Sequence, residues 1–338
     1  MRSPFLAVAV TALMALTACH DSAPLAPTRI GDSDRNPDIP PELFANYTKV
    51  DLTGTGIVGD INDAGDAVGI SPDGSGFLWS GAAHTRSAIP LFPGAIANDG
   101  TIAGDIDGHA AILKNGSVVV LDTAASAVGA ICRCASSTVV GYVEVNGQRH
   151  GAIWAGGVRI DAGVPPGGSA AVFLGIANGF VVGAAEVPTV NPVSGITESS
   201  TQAFTWSHAA GWRQLSGGGV LSSAVDGVNV HGTSVGVEDD ALSPDLLGVM
   251  YDSAGNRTPL FGDPSFLRET IPVAINESGT MAGYFPDYVS GSLALVISQG
   301  SARVLPPGNG GDFASSINAS GVIGGSSGGR PVLWIPNP

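Results

Sequence analysis

Three sets of residues in this sequence have types and spacings that could do chemistry. Asp105, Asp107 and His109 alternate with single residues, and Asp60, Asp63 and Asp66 recur at every third position, so either group could face a metal ion. Hard cations want six or more oxygen ligands, and no bidentate glutamate follows either group at calcium-loop spacing. Both therefore read as polar turns, and no metal or cofactor is expected. Cys132 and Cys134 flank Arg133. They could bridge in an oxidising compartment, although a bridge across one residue is geometrically tight. A zinc site would need two more ligands nearby, and none falls at motif spacing. A structural or idle pair is the expectation. The third set is acidic and aromatic: Glu186 and Glu198; Glu238, Asp239, Asp240 and Asp245; Tyr284, Phe285, Asp287 and Tyr288. Two carboxylates about 5–10 Å apart can cleave a glycosidic bond. Exposed aromatics stack on sugars or anchor a protein partner. No Gly-x-Ser-x-Gly elbow and no His-Glu-x-x-His pair occurs, so no catalytic residue is assigned.

Composition narrows the partners. The chain has 338 residues and a formal net charge of -15, with Lys49 and Lys114 its two lysines. Phosphate binding needs clustered Lys and Arg, so nucleic acid is excluded as a partner. Charged residues make up 13% of the chain, about half the usual ~25%, and the 49 glycines are twice the usual share. With 44% hydrophobic residues the chain is not mostly disordered. Few helix formers among many Gly, Val and Thr point to an all-β protein.

The first residues carry an address. Met1-Arg2 precedes an apolar run over 4–16 that is too short to span a bilayer, followed by Leu16-Thr17-Ala18-Cys19. The ending resembles a bacterial lipobox, which implies cleavage before Cys19 and its lipidation. An ordinary signal peptide is the alternative. His20, rather than Asp, resembles the sorting pattern for the outer membrane in two-membrane bacteria. Residues 1–18 are thus expected to be a lipoprotein signal peptide, and 19–46, with five prolines and no apolar periodicity, a flexible tether. The expected membrane partner is reached through the lipid anchor.

A repeat fills residues 47–338. Its first half is an aliphatic-Asn turn leading to a glycine: Ile61-Asn62-Asp63-Ala64-Gly65 to Gly69, Ala97-Asn98-Asp99-Gly100 to Gly104, Ile275-Asn276 to Gly283, and Ile317-Asn318 to Gly324. Weaker copies run from Asn178 and Asn229, and a degenerate one has Ile131-Cys132. The second half is a short aliphatic-aromatic run such as Gly76-Phe77-Leu78-Trp79 or Pro331-Val332-Leu333-Trp334. The closing glycines, at 69, 104, 141, 183, 236, 283 and 324, have a mean spacing of 42.5. Asn and Gly tolerate the backbone of tight turns. Four short strands per 40–45 residues is the period of a propeller blade. The seventh copy lacks a fourth strand, and Tyr47-Thr48-Lys49-Val50-Asp51-Leu52 supplies one. The expectation is an all-β, seven-bladed β-propeller closed by an N-terminal strand, with six or eight blades as the alternatives.

This pattern resembles the bacterial extracellular repeat of the HAF family, which reads roughly Ile-Asn-x-x-Gly-x-Val-Val-Gly, then His-Ala-Phe-Leu-Trp. The Asn-x-x-Gly half is well kept; the His occurs only at His109 and His150. The resemblance implies an exported, propeller-like protein without an assigned activity. In copies four to six the loop between second and third strands is expected to lengthen, so the acidic and aromatic set would form a rim on one face. The leading expectation is a surface lipoprotein whose propeller binds a glycan or protein ligand without catalysis. A carbohydrate-active enzyme using the rim acids and a purely structural surface protein are the alternatives.

Overall fold

The computed structural model describes residues 39–134, 137–216, 220–240, 246–260, 269–286, 291–307 and 311–338. Within them, twenty-eight strands form seven four-stranded sheets. Six sheets are meanders of consecutive strands. Their inner strands are Ile57–Ile61, Phe92–Ile96, Ser126–Ile131, Ala170–Ala177, Val220–Val228 and Ile271–Ile275. The seventh comprises Asp312–Ile317, Ile323–Ser327 and Arg330–Pro336, and its outer strand is Tyr47–Asp51 from the other end of the chain. Tyr47 pairs with Pro336 and Asp51 with Val332, antiparallel. The expected seven-bladed propeller, closed by its N-terminal strand, is the fold.

The structure corrects three details of the repeat. First, the stretch read as tether reaches into the folded body. Ile39, Phe44 and Ala45 are buried against blade six, because their apolar side chains cover Val304 and its neighbours. The signal peptide and Cys19 lie outside the described residues. Second, Asn62, Asn229, Asn276 and Asn318 do not take a left-handed backbone; the positive φ falls on the glycine three residues later, as at Gly65 (φ 82°) and Gly279 (φ 80°), whereas Asn178 (φ 45°) in blade four does take it. Asn62 Oδ1 instead accepts the Asp66 N–H at 2.9 Å, closing its own turn. Its Nδ2 donates to the carbonyl of Ala97 in the next blade at 3.2 Å. Asn229 reaches Asn276 O, Asn276 reaches Asn318 O, and Asn318 reaches Asn62 O in the same way, at 3.1–3.2 Å. Four side chains thus staple five consecutive blades. Blade two puts Ala97, not Asn98, in this slot: Ala97 N–H bonds to Thr101 O as Asn62 N–H bonds to Asp66 O.

Third, the repeat glycines stand inside strands. A Cβ on Gly69, Gly104, Gly141, Gly183, Gly236 or Gly283 would lie 1.9–2.1 Å from a carbonyl oxygen of its own blade's inner strand. In blade seven that residue is Gly325, at 1.9 Å from Phe313 O, so the copy is one residue out of the register drawn through Gly324. Each close approach accompanies a bulge in the inner strand, which pushes a carbonyl over the second strand.

The apolar runs fill the spaces between blades. Trp79, Leu113, Trp154, Trp206, Tyr251, Ile297 and Trp334 pair with the start of the second strand in each blade. Trp334 packs with Ala282 and Ala294 of blade six, and Trp79 with Leu333 of blade seven. Each fully buried side chain of this size contributes about 2–3 kcal/mol.

Candidate functional site: the central channel

The inner strands surround a cavity of about 560 Å³. Every one of them carries its bulge at the same place, between Val58 and Asp60, Pro93 and Ala95, Val128 and Ala130, Phe173 and Gly175, Val225 and Gly227, Pro272 and Ala274, and Ala314 and Ser316. The extra residues are Gly59, Gly94, Gly129, Leu174, Asp226, Val273 and Ser315, and all seven line the cavity. Three successive glycines widen it on one side. The Ser315 hydroxyl donates to Val58 O at 2.6 Å. Asp226 is therefore the one ionisable group in this tier.

Asp226 has no hydrogen bond or ion pair among the described residues. Burial alone pushes its carboxyl up to about 6, because an apolar surrounding disfavours the charged form. The position has a sequence signal. Asp226 stands three residues before Asn229, as Gly59 stands before Asn62, Val273 before Asn276 and Ser315 before Asn318.

One mouth of the channel is crossed by Arg133. Its guanidinium donates to Asp60 Oδ1 of blade one at 2.6 Å and to Ile317 O of blade seven at 2.7 Å. A blade-three side chain thus spans most of the ring. Cys132 and Cys134 are bridged, which fixes the tripeptide that presents it. The Arg133 carbonyl in turn accepts from Asn98 Nδ2 at 3.2 Å. The cysteines were visible in the sequence; what Arg133 reaches was not, since Ile317 lies 184 residues away. The other mouth is flanked by Tyr284, whose ring lies 4.7 Å from that of Phe313.

The metal candidates serve the fold. Asp60 also accepts the Ile96 N–H, Asp63 the Ala319 N–H, and Asp66 the Gly81 N–H, at 2.8–2.9 Å. Asp107 (φ 50°) and Gly108 (φ 80°) make a two-residue hairpin turn. Asp105 accepts the Val128 N–H of the next blade at 2.9 Å, and burial raises its carboxyl to about 6. His109 Nδ1 lies 3.0 Å from Ala124 O. No three His, Cys, Asp or Glu gather to hold a metal among the described residues.

The acidic and aromatic rim divides. Blade four does not loop out over 184–201: its strands continue as a hairpin, Phe180–Val190 with Thr197–Ser207, which carries exposed Val193 and Ile196 at its tip. Glu186 lies within this hairpin and accepts from Ser169 Oγ at 3.2 Å. Glu198, exposed, accepts from Asn191. Glu198 and Asp239 line one groove of about 270 Å³, beside Ser200 and Ser222. Glu238 leaves the rim altogether. The second strand of blade five runs on to Asp240, and Glu238 turns inward, fully buried against the Tyr251 hydroxyl and Arg257. Burial, and after it the Glu238 contact, push the Tyr251 hydroxyl well above the usual phenol range. The Asp240 backbone pairs with Val220. Tyr284 belongs to the channel, and Phe285 packs half-buried on the blade-six core. Asp245, Asp287 and Tyr288 lie outside the described residues.

No known family profile and no curated protein sequence matches the chain. Solved structures do. An oligogalacturonate lyase in complex with manganese superposes with a TM-score of 0.56 at 11% identity, over 94% of this chain and 98% of that one. The WD40 propeller domain of Doa1 gives 0.53 at 14% identity, over 85% and 95%. An oligogalacturonate lyase from Vibrio parahaemolyticus gives 0.53 at 10% identity, over 94% and 99%. At such identities the likeness is one of fold, and by fold this chain is a seven-bladed β-propeller.

Proposed function

We propose that the protein is an exported lipoprotein, held at the outer membrane through acylated Cys19, whose propeller binds a small ligand in its central channel without transforming it. The observation that carries the reading is the channel itself: a cavity of about 560 Å³ spanned at one end by Arg133, with an unpaired carboxylate in its wall. Pockets of this size with a few placed polar groups suit small molecules. The HAF-type repeat and the lipobox support the exported, anchored half of the reading.

Gly94→Phe tests the channel. Gly94 lines it, and a Cβ there meets its nearest neighbours at ordinary contact distances of 3.6–3.8 Å. The variant is expected to fold with an unchanged circular dichroism spectrum. It should lose the thermal shifts that a panel of amines, sugars and organic acids produces in the parent. Shifts that survive in the filled channel would place the ligand elsewhere. For the anchor, Cys19→Ala should move the protein from the membrane pellet to the supernatant on fractionation; retention in the pellet counts against lipidation.

A further inference from the structure

The channel has a marked charge imbalance. Its lining carries the carboxylates of Asp60, Asp63, Asp226 and Glu277 against the single guanidinium of Arg133. Three of the four acids are already satisfied. Asp60 holds Arg133, Asp63 accepts from Asn98 Nδ2 at 2.7 Å, and Glu277 accepts the Val230 N–H at 3.1 Å. Asp226 is left without a partner. Apolar side chains stand along the channel near it: Leu174 and Val273 in the same tier on the flanking blades, and Ile271, Tyr284 and Phe313 toward the mouth opposite Arg133, with Ser222 and Ser223 on the strand of Asp226 itself.

We propose that the channel takes a small organic ammonium ion with an apolar body, its cationic head against the Asp226 carboxylate and its body along Ile271, Val273, Tyr284 and Phe313. The inference rests on the channel being the binding site. An unpaired carboxylate in an apolar wall is costly, and a cation offsets that cost where a neutral polar group does so only in part. Arg133 cannot supply the charge, because its guanidinium is committed to Asp60 and Ile317. Two residues separate Ile271, paired with Tyr284, from the Val273 tier, so head and body sites lie about 7 Å apart along the strand. That span matches an arylalkylamine better than a bare ammonium ion or a long polyamine. The aromatic pair adds a face for the cation's polarised CH groups and an apolar wall for its ring.

The test compares 2-phenylethylamine with its neutral isostere 2-phenylethanol, by calorimetric titration of the full chain at pH 7.5. The amine is expected to bind at least about tenfold more tightly. Asp226→Asn should bring the two probes to within about twofold, while Glu144→Gln, which removes an exposed carboxylate on blade three, leaves the preference intact. Equal binding of amine and alcohol by the parent overturns the assignment of a cation, with the channel still a binding site if Gly94→Phe abolishes both. A preference that survives Asp226→Asn overturns the role of Asp226. Binding of neither probe overturns the ammonium assignment, and the panel used with Gly94→Phe then decides the channel separately.

Discussion

Gly141→Ala is expected to destabilise the propeller by about 3 kcal/mol, lowering the thermal midpoint by roughly 5 °C. The added methyl would sit 1.9 Å from Ala127 O and 3.0 Å from Gly129 N, both backbone atoms of the inner strand at its bulge. A flexible side chain could swing away; a strand pinned between two blades cannot. Gly147→Ala is the comparison. Gly147 has φ 78° in an open hairpin turn with nothing near its missing Cβ. Alanine there meets only the left-handed backbone penalty, about 1 kcal/mol. Urea unfolding of both variants separates lack of space from backbone conformation. Equal losses would refute the packing account of the glycine column.

The second large effect concerns pH. Asp226→Asn should stabilise the protein by about 2 kcal/mol at pH 7.5, and the gain should vanish near pH 4. In the folded chain the Asp226 carboxyl is raised to about 6 by burial, above its unfolded value near ~4. Its protonated form therefore contributes stability that is full below pH 4 and is lost as pH rises through 6. Asn carries no such charge and stays level across that window. The flanking inner strands Ala170–Ala177 and Ile271–Ile275 bear no charged residue, and on the neighbouring strand Ser234–Asp240 the Glu238 carboxylate is turned toward Tyr251 and Arg257. Asp105, also raised to about 6, is shared by both proteins and cancels in the difference. A parent-minus-variant difference that stays flat between pH 4 and 7.5 would mean that Asp226 titrates as a solvated acid.

These residues also show what can be read from the chain by eye. Strand content, blade number and the closing strand Tyr47–Asp51 are local matters of alternating apolar runs and turn spacing, and they were legible. So was the need for glycine at 141, though not its cause. The sequence suggests a turn, whereas the reason is a carbonyl of the adjacent strand. Register failed by one residue at Ala97 and at Gly325, where a neighbouring Asn98 or Gly324 offered the same letter in the wrong slot. The channel was not legible, because its wall takes one residue from each of seven blades. Aligning the bulge positions would have singled out Asp226 as an acid among Gly, Leu, Val and Ser. The rim breaks at Glu238 because its acidic run reads as a loop, whereas it lies in a strand whose alternation sends every second side chain inward.

The shared seventh blade also sets a timetable. Thr48 bonds to Asn337 across 289 residues of chain, so Tyr47–Asp51 can find its partner strand only after nearly everything else has been made. Closing a loop of that length costs about 5 kcal/mol in chain entropy, ahead of any reward from the new hydrogen bonds. Until then the outer edge of Arg330–Pro336 stands open, and an open edge invites pairing with another chain. The ring is thus slow to finish and most exposed to misassembly at its last step. Agents that shield strand edges should raise refolding yield, and a soluble peptide carrying residues 47–51 should compete for that edge while the ring is still open.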